Sequence, residues 1–198
     1  MNAIILDTNI ISIAHLKEPP KWLLNWFASL EAESIVIPWI VLYETEYGIR
    51  YVERTNPSKA ADVLEWFEKF LDQRLMVLDM NVAGARLLGQ MAACSHLRNL
   101  FETQPRTNRW GDELKNDKIR LGGDVMIAAM AIAHQIPIAS LNVRDFVHID
   151  RHFSIPGLFD PSIDHWVIDP PVGWGMTSNA NDDSPAPFSR LNLSHRAL

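Results

Sequence analysis

The sequence predicts an α/β fold: a mostly parallel sheet of about five strands, covered by helices on both faces. Two observations carry this. Short apolar runs of strand length alternate with longer stretches whose apolar residues recur at helical spacing. One of those longer stretches, residues 124–135, is almost wholly apolar, as a helix buried on every side must be.

The elements follow in order. Residues 4–6 read as a short buried strand. Pro19-Pro20 opens a helix whose apolar face is Trp22, Leu23, Trp26, Phe27 and Leu30. Residues 34–38 form a second strand, stopped by Pro38. A helix is expected over 40–54. Asn56-Pro57 is an N-cap followed by proline at the first helical position. It starts a helix that turns Ala60, Val63, Leu64, Phe67 and Leu71 to one side. A third strand is expected at 75–78, and Asn81 caps a helix running to about 97. Residues 99–121 break the pattern and read as a loop or helix–loop insertion, polar and mixed in charge. After Gly122-Gly123 comes the apolar helix, then a fourth strand at 136–140 and a fifth at 165–168. Beyond Pro170 the composition shifts to Gly, Pro, Asn and Ser without periodicity. The expected organisation is one domain over 1–170, with the insertion at about 99–121, and an irregular tail over 171–198. Trp110 and Trp174 fall in irregular segments and are expected to be exposed.

Composition narrows the function. Cys94 is the single cysteine, so no internal disulfide forms, and a cytoplasmic location is the simple assignment. No secretory leader is evident, and the apolar stretch 125–133 is too short to span a bilayer. The net charge of −6 argues against a broad nucleic-acid footprint.

The acids are more informative. Ligands of parallel α/β folds sit beyond the carboxyl ends of strands. Asp7 ends the first apolar run, in "ILDTNIIS". Glu44 lies early in the helix after the second strand, Asp124 opens the apolar helix, and Asp145 follows the fourth strand. Each has a purely structural reading: an Asx turn for Asp7, a solvated helix position for Glu44, a helix cap for Asp124, a turn for Asp145. Together, carboxylates repel and raise one another's pKa unless a divalent cation neutralises them. Mg²⁺ and Mn²⁺ prefer such oxygen ligands, and the set suits metal-assisted phosphodiester hydrolysis. Arg50, Arg54, Lys59, Arg98, Arg106, Arg109 and Arg120 are candidate phosphate contacts against a background of mixed surface charge.

At these residues the chain resembles a known family. "ILDTNIIS", "PWIVLYETEYGI", "GGDVMIAAMAIAHQIPIAS" and "LNVRDF" are similar, in order and spacing, to the motifs of PIN-domain nucleases, above all the VapC-type toxins. The resemblance implies a three-layer α/β/α sandwich. It implies Asp7, Glu44, Asp124 and Asp145 as catalytic, metal-binding acids for Mg²⁺ or Mn²⁺. Asn9, Ser140 and Asn142 match polar helpers that position substrate, and Gly48 matches a small residue one helical turn beyond the glutamate. It further implies an RNA substrate, a cognate antitoxin protein and a homodimer. Leu141 stands where the family often has a basic or polar residue. The rival expectations are a catalytically silent PIN-like module that binds RNA or protein, and a metal-dependent nuclease acting on DNA.

Other motifs are set aside. "GARLLGQM" has the glycine spacing of a phosphate loop but lacks its lysine and hydroxyl and sits in a predicted helix. His148 and His152 have zinc-like spacing without the zincin glutamate, and read as surface histidines.

Overall fold

Every side chain of the first strand, Ile4–Leu6 (β1), is buried, and so is every side chain of the second, Ile35–Pro38 (β2). Successive strand side chains point to opposite faces, so both faces of the sheet are covered. The computed structural model that shows this describes residues 3–73, 75–101, 106–107, 113–114 and 122–175.

Between β1 and β2 lie α1 (Thr8–Ala14) and α2 (Lys21–Ala28). After β2 come α3 (Trp39–Glu53), α4 (Pro57–Leu71), β3 (Met76–Leu78), α5 (Val82–Ala93) and the single turn α6 (Arg98–Phe101). Two short strands, β4 (Arg106–Thr107) and β5 (Glu113–Leu114), pair antiparallel. The chain then forms α7 (Gly123–His134), β6 (Ile138–Ala139), α8 (Val143–Asp150), β7 (Leu158–Asp160) and β8 (His165–Ile168). The main sheet has the order β3-β2-β1-β6-β7-β8. All its pairs are parallel except β7 with β8.

Local chemistry explains the boundaries. Asn56 accepts a hydrogen bond from Lys59 N–H, and Pro57 presets the first turn of α4. Asn81 caps α5 through Gly84 N–H at 2.7 Å. Six residues of α7, Val125, Ile127, Ala128, Ala129, Met130 and Ala131, are buried, as its composition demands. Gly122, at φ 68°, precedes α7, and a Cβ there would meet the Phe101 ring at 2.7 Å. Both the backbone and the packing require glycine.

The sheet has six strands where the sequence predicts about five. The added strand, β7, is three residues long, too short for a period to register. Two helices are also additions. Thr8-Asn9 resembles a turn but opens α1, and "NVRDF", read as a turn, opens α8. Asn81 starts its helix as expected, but the helix stops at Ala93 rather than about 97. The fourth strand is confined to Ile138–Ala139. Trp174, expected to be exposed, packs edge-on against Trp166 at 4.8 Å and donates to the Ala3 carbonyl at 3.0 Å. Trp110, most of the insertion and residues 176–198 lie outside the described residues. Among the described residues no helix is long and apolar enough to cross a membrane.

Ile5 sits in β1 with no exposed surface. Ile5→Ala should therefore destabilise the fold by about 2–5 kcal/mol, while Val82→Ala at a largely exposed site should stay within about 0.5 kcal/mol of wild type. Urea unfolding midpoints of the two variants check both.

Candidate active site

Strand order reverses around β1. From it the chain builds outward to β2 and β3 on one side, and later to β6, β7 and β8 on the other. A crevice opens where such a reversal occurs, at the carboxyl ends of the strands. Asp7 immediately follows β1 and Ser140 immediately follows β6. The pairing of Leu6 with Ala139 and the Asp7 N–H bond to the Ala139 carbonyl, 3.1 Å, bring the two together.

Asp7 is 3% exposed and Ser140 is fully buried. Asp7 stands at the N-cap of α1, yet its side chain makes no capping bond. Its Oδ2 instead accepts from the Ser140 hydroxyl at 2.6 Å and from Asn9 Nδ2 at 2.6 Å. Asn9 also reaches Ser140 Oγ at 3.0 Å, and its own carbonyl accepts from Leu141 N–H at 3.2 Å. Ser140 Oγ accepts in turn from Asn142 N–H at 2.8 Å. Asn142 occupies the N-cap of α8 without capping it. Its amide donates to Asp124 Oδ2 and to Asp145 Oδ2, both at 2.9 Å. Asp124 lies in the first turn of α7 and Asp145 in the first turn of α8, where helix dipoles favour negative charge.

Glu44 completes the group from α3. The Thr8 hydroxyl donates to its Oε2. Its other carboxylate oxygen lies against Gly123, where a Cβ would sit only 2.2 Å away. The glutamate thus reaches the start of α7 beside Asp124 because Gly123 has no side chain. All seven residues singled out from the sequence, Asp7, Asn9, Glu44, Asp124, Ser140, Asn142 and Asp145, meet at this one edge. Thr8 and Gly123 are additions. Gly123 stands in a visible Gly-Gly pair, but nothing local marks Thr8, whose partner is 36 residues away.

Burial raises the Asp7 carboxyl to a pKa of about 6; the Ser140 hydroxyl opposes the rise and the Glu44 charge adds to it. Burial also raises Glu44, against the Thr8 hydrogen bond. No lysine or arginine among the described residues pairs with Asp7, Glu44 or Asp145. The ion pairs there are Arg50 with Glu46 and Glu53, and Lys69 with Glu65. Of the candidate phosphate contacts, Arg50 pairs with Glu46 and Glu53 at the surface and Arg54 lies over the Tyr51 ring at 5.6 Å. His148 and His152 gather with His96 at the surface, with His96 and His152 stacked at 4.6 Å. Among the described residues, no three His, Cys, Asp or Glu side chains form a ready-made metal shell. In the acidic site Asn142 holds Asp124 and Asp145 on one amide. The donor set itself, carboxylates with amide and hydroxyl neighbours, fits a hard divalent cation.

The linkage has a definite sign. Folded Asp7 keeps its proton to about pH 6, against 3.8 for an ordinary carboxyl. Its contribution to stability is therefore complete below about pH 4 and lost as pH rises through about 6, by up to about 3 kcal/mol in total. Asp7→Asn removes that slope. Urea titrations of chelator-treated protein between about pH 4 and pH 7 should show the variant gaining on wild type as pH rises.

The model of the PIN domain family matches residues 4–152. A search of curated proteins finds no match. Among solved structures, the chain is similar to FitAcB from Neisseria gonorrhoeae, at 22% identity and TM-score 0.54, over 80% of this chain and 98% of that one. It is also similar to DNA-bound VapBC from Salmonella typhimurium, at 26% identity and TM-score 0.50, over 74% of this chain and 92% of that one. The family match runs from β1 to just past α8 and includes every residue of the acidic site: the chain belongs to the PIN domain family.

Proposed function

We propose that the protein is a metal-dependent nuclease that hydrolyses RNA phosphodiester bonds, the toxin of a toxin–antitoxin pair. One observation carries the reading. Carboxylates from four separate segments converge on the switch point of the sheet, and Asp7, Glu44 and Asp145 lack a cationic partner among the described residues. Such a group is unfavourable by itself and favourable around a cation.

Asp7, Asp124 and Asp145 are the residues that would hold Mg²⁺ or Mn²⁺, with Glu44 at the edge of the same site. A bound divalent ion supplies charge for the phosphate and acidifies a water molecule. The protein's own part is positioning. Ser140 and Asn9 fix the Oδ2 edge of Asp7, and Asn142 sets the separation of Asp124 from Asp145. Thr8 aims Glu44, and Gly123 makes room for it. No side-chain nucleophile is required. The motifs resembling VapC-type toxins and the 26% identical VapBC neighbour support the toxin assignment. A cognate antitoxin, a homodimer and a cytoplasmic setting belong to the same reading.

The test is cleavage of single-stranded RNA, with single-stranded DNA in parallel, in Mg²⁺, in Mn²⁺ and after chelation. Wild type should cut RNA only with metal. Asp7→Asn should reduce the rate by more than ~100-fold, and Asn142→Ala by ~10–100-fold through its hold on two acids. Equal rates for wild type and Asp7→Asn reject the site. Preferential DNA cutting reassigns the substrate.

A further inference from the structure

Glu44 has a second side. A cavity of about 190 Å³ lies beside it, bounded by Ser12, His15, Gly48, Ile49, Val52 and Val63 among others. It shares His15, Lys59 and Val63 with a wider recess of about 500 Å³, whose rim adds Lys17 and Asp62. The two form one groove between α1, α3 and α4. It begins at Glu44 and ends at Lys17, Lys59 and Asp62. Lys17 and Lys59 make no ion pair among the described residues.

Gly48 is the informative residue. It lies inside the fifteen-residue helix α3. Glycine in a helix interior weakens the helix relative to alanine. Usually a close neighbour explains it, as Glu44 explains Gly123. At Gly48 a Cβ would meet nothing within 4 Å. Gly89 in α5 is equally open but borders neither of these cavities. Gly48 is exposed and lines the smaller cavity, so a side chain there would project into that space without displacing any part of the fold. A slot walled by Ile49, Val52, Ala60 and Val63, one helical turn from Glu44 and with Lys59 and Lys17 along it beside Asp62, offers apolar contact to a base and cations to the adjoining phosphates.

We propose that this slot receives a nucleobase of single-stranded RNA next to the cleaved bond, that Lys17 and Lys59 meet the adjoining phosphates, and that Gly48 sets which base enters. This rests on the nuclease reading and assigns that site its substrate specificity. A side chain at position 48 that fills the slot should weaken RNA binding and alter the sequence flanking the cut. Removing Lys59 should weaken binding evenly across sequences.

The experiment uses the full chain. Binding of fluorescein-labelled oligo(A), oligo(U) and oligo(C) RNA is measured by anisotropy on the Asp7→Asn background. Cut positions in a random-sequence RNA pool are mapped with the catalytic Asp7 intact. Gly48→Leu should bind RNA roughly 10-fold more weakly, the equivalent of about 1.4 kcal/mol for excluding one base from the slot. It should also shift base preference at the cut. Gly48→Ala should raise Tm and affect binding less. Gly89→Leu should match wild type in both assays, which separates slot filling from helix propensity. Lys59→Ala should lower the salt slope of binding by about 0.7 without changing preference. Wild-type binding and cutting by both Gly48→Leu and Lys59→Ala overturn the slot while leaving the nuclease intact, and give this face to a protein partner instead. Failure of wild type to cut any RNA overturns the nuclease reading and the slot together. Tm measurements identify a variant that has failed to fold, and Gly48→Met, a more flexible filler, then takes its place.

Discussion

The hydrogen bond from the Ser140 hydroxyl to Asp7 is the contact on which the arrangement depends. A carboxylate at the end of a central strand, 3% exposed, has almost no water to solvate it. Its charge is tolerated only with donors built into the fold. Ser140 and Asn9 supply them, and both are placed by backbone rather than by chance. The pairing of β1 with β6 fixes Ser140 opposite Asp7, and the first turn of α1 fixes Asn9. A slip of one residue in that pairing would turn Ser140 to the other face. The register of two very short strands therefore decides whether a site exists.

Two kinds of acid share the site, and they are stabilised differently. Asp124 and Asp145 sit in the first turns of helices, where the dipole favours a negative charge, and share the Asn142 amide. Asp7 and Glu44 are shielded from water, which raises their pKa values, and the hydroxyls of Ser140 and Thr8 oppose the rise. A divalent cation brought to the group would favour the ionised forms of Asp7 and Glu44. Metal binding should for that reason release protons and strengthen as pH rises through the range where Asp7 titrates, about 6.

The sequence made the carboxylates legible because they stand where strand-like and helix-like periods change over. Asp7 ends an apolar run, and Asp124 follows a Gly-Gly break, so topology alone puts both at one sheet edge. Glu44 and Asp145 needed the motifs of the family beside the pattern, since each is plausible as a solvated residue. What stayed hidden was short or long-range. β7, with three residues, shows no alternation, and α8, only eight residues long, opens on an Asn-Val-Arg-Asp stretch that has the composition of a turn. Thr8 is bonded to a residue on another helix, and no local rule announces that. Trp174 sits in an aperiodic stretch, and its contact with Trp166 appears only once β8 has folded back on β7.

Three glycines border the acids, and each has its own physical reason. Gly122 provides a positive φ that lets the chain enter α7 beneath the Phe101 ring. Gly123 lacks the Cβ that would displace Glu44. In both cases the protein itself fills the room that glycine leaves, and the backbone freedom given up on folding is offset by packing. Gly48 has no such offset, because the room it leaves stays open. A helix that carries that weakness one turn from a buried acid gives up stability without any gain inside the fold. On the proposed reading a bound base takes up that room, between the carboxylates on one side and Lys17, Lys59 and Asp62 on the other.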